Sequence, residues 1–222
     1  MSSKGNGFVL EPEAAKILSD YQIPYPEHRL ARSQAEAVGF AAKIGYPVVL
    51  KIVSPQLVHK SEAGGVVTGL TDAAAVSRSY DEMLGRIKAS FPQAQIEGVL
   101  VCRQAPEGLE AIVGGLQDPV FGPTVMFGLG GIFAEVFKDV TFRVAPLKPI
   151  DAEEMIAEIK GYPLLEGVRG QPRRDLEALA GLLLAVSRLL TERPELKELD
   201  LNPVRLYPKG LLALDVRIIE KK

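Results

Sequence analysis

The 222-residue sequence holds one cysteine, Cys102, no tryptophan, and two histidines, His28 and His59. A single thiol excludes an internal disulfide framework and a cysteine metal cluster, and it suits a reducing, cytoplasmic setting. The opening MSSKGNGF lacks the apolar core of a signal peptide. No apolar run approaches the roughly 18 residues of a membrane span, so no membrane association is expected. A basic excess is missing too. The 26 Lys and Arg stand against 28 Asp and Glu, for a net charge of −2 and a pI near 5.8. That balance argues against nucleic-acid binding, and the pairs Arg173-Arg174 and Lys221-Lys222 are too short to reverse it. There is neither an internal repeat nor a low-complexity segment. What remains is ordinary globular composition, 47% hydrophobic and 24% charged, on a chain long enough for one domain or two small ones.

Residues 47–70, PVVLKIVSPQLVHKSEAGGVVTGL, are the most informative stretch. A run of strand formers carries Lys51 in its middle. A polar loop with His59, Lys60 and Ser61 follows, and after Gly64-Gly65 a second strand begins. A lysine inside a buried strand needs an anion or a carboxylate to take its charge. Upstream, Glu11-Pro12-Glu13 starts a helix, with proline in the first turn and the acids at its N-terminus. Residues 21–27 are extended by Pro24 and Pro26. His28 to Ala31 reads as a short strand. Ser33-Gln34-Ala35-Glu36 is a capping box for a helix to Ile44 that stops at Gly45. Asp72 caps another, with Val76, Tyr80, Met83, Ile87 and Phe91 at helical spacing, and a strand follows at 99–101. This β-α-β-β-α-β order is the pattern of a small split βαβ sandwich.

Beyond Val101 the texture becomes that of an antiparallel sheet, with strands near 99–104, 109–114 and 123–127. A glycine loop at 127–131 precedes Glu135 and a strand through Phe142 to Ala145. Asp151 and Glu154 cap a helix ending at Gly161, and a longer helix runs from Asp175 to about Leu190, its apolar face formed by Leu176, Leu179, Leu183, Val186 and Leu190. Strands 199–206 and 211–219 flank the turn Tyr207–Gly210. The expected architecture is α+β in two lobes with a ligand crevice between them.

Each candidate site residue has two readings. Lys51 either contacts phosphate or snorkels at a sheet edge. HKSEAGG lacks the GxxxxGK spacing of a P-loop. His59 is either a nucleophile or acid/base, since imidazole is partly neutral near pH 7, or a polar loop residue. His28 has no such setting. Asn202 and Asp215 face the same side if the turn is centred on Pro208-Lys209, which makes a hard-oxygen pair suited to Mg²⁺; separately they are a turn Asn and a strand-end Asp. Glu110 is a further acid that could face the crevice. Gly130-Gly131 either cradles an anion or permits a tight turn. Cys102 is a core residue.

The blocks VLKIVSPQLVHKSEAGGV, EGLEAIVGGLQDPVFGPTVMFGLGGIFAE, KDVTFRVAPL and ELDLNPV…LALDVR together resemble the nucleotide-binding beta subunit of ADP-forming acyl-CoA synthetases, such as acetate–CoA ligase (ADP-forming). The succinyl-CoA synthetase beta subunit is more distantly similar. The resemblance implies an ATP-grasp fold. Residues 1–25 would form a tail and helix packing on the C-terminal lobe, 26–100 the first lobe or lid, and 101–222 the second lobe. By that resemblance Lys51 binds phosphate and the Lys60–Gly65 loop, with Ser61, Gly64 and Gly65, covers the triphosphate, with ATP/ADP as the substrate. Val101 and Arg103 lie where a strand meets adenine through its backbone, Glu110 holds the nucleotide, and Asn202 and Asp215 match the Mg²⁺ ligands. His59 matches a transient phosphate carrier. The implied reaction is acyl-CoA + ADP + phosphate giving acid + CoA + ATP, with a CoA-binding alpha subunit as partner in an α2β2 assembly. The rival readings are another ATP-grasp carboxylate ligase, which needs no histidine in this loop, and a non-catalytic nucleotide-sensing subunit.

Overall fold

Strand β1 (Phe8–Val9) and helix α1 (Glu11–Asp20) open the part of the chain that the computed structural model describes, residues 7–57, 59–131, 138–168 and 170–221. Internal packing divides the chain into two units, Met1–Glu13 with Pro26–Pro106 and Ala14–Tyr25 with Glu107–Lys222.

The first unit contains β2 (His28–Ala31), α2 (Gln34–Ile44), β3 (Val48–Val53), β4 (Val66–Leu70), α3 (Ala73–Ser90) and β5 (Gly98–Arg103). Ser33 caps α2 by accepting from the Glu36 backbone N–H at 3.2 Å, and Gly45 ends it at φ +89°, where a Cβ would be strained. Asp72 caps α3 through the Ala75 N–H at 2.7 Å. The sheet order is β2-β5-β3-β4, and each pair is antiparallel. The element order expected from sequence is present, and so is the split βαβ pattern: β2 and β3, joined through α2, both pair antiparallel with β5, which lies between them. The two-residue period of β3 sends Val48, Leu50 and Ile52 to the face covered by Ala37, Ala41 and Ile44 of α2 and Val76, Tyr80, Met83 and Ile87 of α3. Each fully buried Val, Leu, Ile or Met side chain among these contributes about 1.5–3 kcal/mol. Phe91 is 39% exposed rather than core, because it stands one residue past α3 as its C-cap.

The second unit is built on the sheet order β11-β9-β6-β7-β8, with β10 also on β9. Its strands are β6 (Leu109–Asp118), β7 (Gly122–Leu129), β8 (Val140–Val144), β9 (Leu196–Leu206), β10 (Leu211–Ala213) and β11 (Arg217–Glu220). Its helices after α1 are α4 (Pro149–Glu158), α5 (Tyr162–Glu166) and α6 (Leu176–Glu192). Leu179, Leu182, Leu183, Val186, Leu189 and Leu190 of α6 are buried on one side of the sheet. Gly115 lets that helix approach closely, since a Cβ there would lie 2.2 Å from Leu190 Cδ1. Three details differ from expectation. Asp151 is not the cap of α4 but its third residue, accepting from the Lys148 N–H at 2.7 Å, because Pro149 starts the helix earlier. Leu176 is only partly buried. The last strand breaks at 214–216 into β10 and β11. Glu135 lies outside the described residues. Among the described residues no helix is long and apolar enough to cross a membrane.

Candidate functional site

The same alternation that buries Val48, Leu50 and Ile52 under the helices turns Lys51 to the other face of the first sheet, beside Val53, Leu100, Cys102 and Leu10. Its ammonium meets Glu11 Oε1 at 2.6 Å, and Lys60 Nζ bonds the second oxygen, Oε2. All three side chains are at least 90% buried. Burial pushes the Glu11 carboxyl up, but the two lysine charges and their hydrogen bonds overcome it and hold the group at about 2.

The turn between β3 and β4 is pinned at several points. Gly65 N donates to Lys60 O and Ile52 N to Gly65 O, both at 2.7 Å. A Cβ at Gly65 would lie 2.3 Å from Ile52 Cγ2, so only glycine permits this approach. Gly64 adopts φ +70°, and its carbonyl accepts from Arg86 Nη2 at 2.9 Å. Ala63 N donates to His59 O at 3.1 Å and Gly64 N to Ser61 O at 3.0 Å. On this braced turn His59 and Ser61 stand exposed. The imidazole is thus presented to solvent from a fixed base, which is what a group that must meet another molecule requires.

In the second unit the face of the sheet away from α6 carries the polar candidates. Ile112, Met126 and Phe142 share with Glu198, Asp200 and Asn202 a groove of about 340 Å³. Arg217 lies opposite Asp200, bonds Glu198, and reaches Asp200 Oδ2 at 3.9 Å. Burial pushes the Asp200 carboxyl up; Arg217 opposes this, while Glu198 and Asp215 add to it. The hairpin register pairs Leu211 with Leu206 and Arg217 with Asp200, so it is centred between Pro208 and Lys209. Leu214 N donates to Pro203 O at 2.9 Å within the 214–216 break, and the same register continued through it would set Asp215 opposite Asn202. Paired residues in an antiparallel ladder share a face. Two hard oxygen donors beside an acid held up by burial fit a Mg²⁺ ion. No group of three or more His, Cys, Asp or Glu able to hold a metal occurs among the described residues, so such an ion would take its other ligands from water and phosphate, as Mg²⁺ commonly does.

An ATP-grasp domain family matches residues 1–219. The beta subunit of acetate–CoA ligase (ADP-forming) I from Pyrococcus furiosus is 49% identical over 211 residues, covering 95% of this chain and 91% of that protein. The chain belongs to the ATP-grasp family. Within it, the dinucleotide-forming acetyl-coenzyme A synthetase 1 of Candidatus Korarchaeum cryptofilum, solved with coenzyme A, Ca-AMPCP and HgCl⁺, superposes with a TM-score of 0.96 at 52% identity. The match covers 98% of this chain and 95% of that one. Another structure of that synthetase holds coenzyme A and Mg-AMPPCP with a phosphohistidine segment pointing towards the nucleotide binding site. It matches with a TM-score of 0.85 at 49% identity, over 97% and 93% of the two chains.

In this ATP-grasp chain the residues singled out from sequence fall into two groups. Lys51, His59, Lys60, Ser61, Gly64, Gly65, Val101 and Arg103 belong to the first unit, and Glu110, Asn202 and Asp215 to the second. Val101 is interior to β5, flanked by Arg29 of β2 and Leu50 of β3, so its backbone belongs to the sheet ladder. Arg103 N donates to Glu27 O at 2.8 Å. The Arg103 guanidinium bonds the Ile44 carbonyl at the end of α2 and Glu27 at 3.3 Å, where a cation complements the helix C-terminus. Glu110 pairs with Arg205 at 3.2 Å, and Gly130 N donates to the Glu110 carbonyl at 2.8 Å. That Gly130 amide is therefore committed to the sheet rather than to an anion. His28 Nδ1 lies 2.8 Å from Pro26 O, a local contact. Sequence reasoning missed Glu11, Arg86, Asp200 and Arg217. The first was detectable, because a buried strand lysine calls for a carboxylate and Glu11 opens the first helix. Arg86 lies on the exposed side of an ordinary helix and carries no sequence signal.

Proposed function

We propose that this chain is the nucleotide-binding beta subunit of an ADP-forming acyl-CoA synthetase, catalysing acyl-CoA + ADP + phosphate = carboxylic acid + CoA + ATP with a CoA-binding alpha subunit, in an α2β2 assembly in the cytoplasm. The observation that carries the reading is His59, exposed on a turn whose next residue, Lys60, is anchored in a buried ion cluster with Lys51. A nucleotide-sensing protein gains nothing from presenting an imidazole there, and a ligase working through an acyl phosphate does not need one.

On this reading residues 26–100 act as the lid and 101–222 as the second lobe. A phosphohistidine of the alpha subunit presents its phosphoryl group to the His59 ring. A new N–P bond forms on His59 as the donor's N–P bond breaks. The β-phosphate oxygen of ADP then attacks that phosphorus and the His59 ring leaves, giving ATP. Such transfer asks chiefly for position and charge neutralisation. Lys51 and Lys60 supply positive charge, the Ser61 hydroxyl and the Gly64 and Gly65 backbone line the loop over the phosphates, Val101 and Arg103 mark the strand beside adenine, and Glu110 holds the nucleotide. Asn202 and Asp215 would hold Mg²⁺, whose chemistry when bound is to neutralise the phosphate oxygens.

The test is acyl-CoA-dependent ATP synthesis by the complex with its alpha subunit, together with ³²P labelling from γ-labelled ATP. Wild type should acquire acid-labile, base-stable label on this chain and make ATP; His59→Ala should do neither. Normal turnover by His59→Ala would end the relay assignment.

A further inference from the structure

Among the described residues the Glu11 carboxylate joins Lys51 and Lys60, the two lysines assigned to phosphate by the proposed reading, on which this inference rests. Oε1 takes Lys51 at 2.6 Å and Oε2 takes Lys60, so the two oxygens of one carboxylate reach both ammonium groups. Glu11 is 3% exposed and both lysines 8%, so water does not substitute readily for either bond. From Lys60 the connection continues through the backbone. Its carbonyl accepts from Gly65 N, and the Gly65 carbonyl accepts from Ile52 N, the residue after Lys51. Lys51, Glu11, Lys60, Gly65 and Ile52 thus form a closed circuit. His59 adjoins it directly, and its carbonyl accepts from Ala63 N within the same turn.

We propose that Glu11 is a positioning residue for phosphoryl transfer: one carboxylate sets the separation of the Lys51 and Lys60 ammonium groups and, through Lys60, seats the turn that presents His59. A carboxylate in this place has two opposed effects. It fixes where the cations point, and as an anion beside them it weakens their attraction for a polyphosphate. Neutralising it without changing its size should therefore separate binding from turnover. A carboxylate that served only the packing of the first unit would degrade both together.

The experiment uses the complex with its alpha subunit, in wild type, Glu11→Gln and Glu11→Asp forms. Dissociation constants for ADP with Mg²⁺, kcat and KM for acyl-CoA-dependent ATP synthesis, and melting temperature are measured for each. In Glu11→Gln, kcat should fall by about tenfold to a hundredfold, the scale set by misplacing a reacting group by an ångström, while ADP binds as tightly as to wild type or more tightly. Glu11→Asp keeps the charge one methylene further back; it should restore the wild-type ADP affinity and recover part of kcat. Values of kcat and KM within about twofold of wild type in a folded Glu11→Gln complex would overturn the proposal. So would a loss of affinity and turnover in step with a loss of melting temperature. Should Glu11→Gln not fold, Glu11→Asp decides: reduced kcat at unchanged melting temperature supports the positioning role, and wild-type kcat overturns it. A wild-type complex that binds no ADP and makes no ATP would instead remove the underlying reading, and the inference with it.

Discussion

Acid should loosen the first unit through Glu11 in a way that one variant isolates. The carboxyl is held at about 2 against an ordinary value of 4.5. The difference of about 2.5 in pKa, at about 1.4 kcal/mol for each, corresponds to about 3 kcal/mol of folding free energy. Because the folded value is the lower one, this stabilisation is fully present above pH 4.5. It drains away as the pH falls from about 4.5 towards 2, where the folded protein too must take up the proton. Glu11→Gln lacks the titration but keeps the other carboxylates, so the gap in stability between wild type and variant isolates this group. At pH 7 the variant should be less stable by about 3–5 kcal/mol, the cost of removing one partner from a buried ion pair. Urea unfolding followed by far-UV circular dichroism, at steps from pH 7 to pH 2.5, measures the gap. It should stay constant down to about pH 5 and then narrow by about 3 kcal/mol. A gap that does not change with pH would refute the argument, because the carboxylate would then not be held charged by Lys51 and Lys60.

Three further outcomes are expected. Gly65→Ala puts a methyl 2.3 Å from Ile52 Cγ2 and 3.1 Å from the Lys60 carbonyl; it should cost about 1–3 kcal/mol in a thermal melt and lower ATP synthesis by moving the His59 turn. On α3, Met83→Ala removes a fully buried side chain at about 2–5 kcal/mol. Gly85→Ala, where an added Cβ meets nothing within 4 Å, should stabilise by up to about 1 kcal/mol; equal effects at the two positions would contradict the assignment of the buried face. Asp215→Ala should raise the Mg²⁺ concentration needed for half-maximal ATP synthesis or abolish activity, and an unchanged metal dependence would take Asp215 out of the metal set.

Local physics was the most legible. Caps at Ser33 and Asp72, the stop at Gly45, the start of α6 at Asp175 and, Phe91 and Leu176 apart, the apolar spacing of α3 and α6 depend on residues within a turn or two of each other, and each stands where the sequence puts it. The hairpin centre between Pro208 and Lys209 is local in the same sense, and the register on both sides of the 214–216 break agrees with it. Non-local pairing was not. Helix and strand periods cannot say which strands become neighbours, so the β-α-β-β-α-β order pointed to a split βαβ pattern without showing that β5 is the strand inserted between β2 and β3. For the same reason the engagement of the Val101 backbone by strands on both sides was invisible.

Lys51 marks the division. Its place in a run of strand formers already required a counter-charge, because a buried ammonium is costly when unpaired. Which anion answers that need, and that the same carboxylate also takes Lys60 from the His59 turn, depends on a contact spanning 40 residues to Lys51 and 49 to Lys60. The sequence by itself determined the elements, the family and the kind of chemistry its motifs resemble, since these rest on local composition and spacing. Only the tertiary structure decided which charges neutralise one another, because burial and distance, which set the strength of an ion pair, are properties of the folded chain.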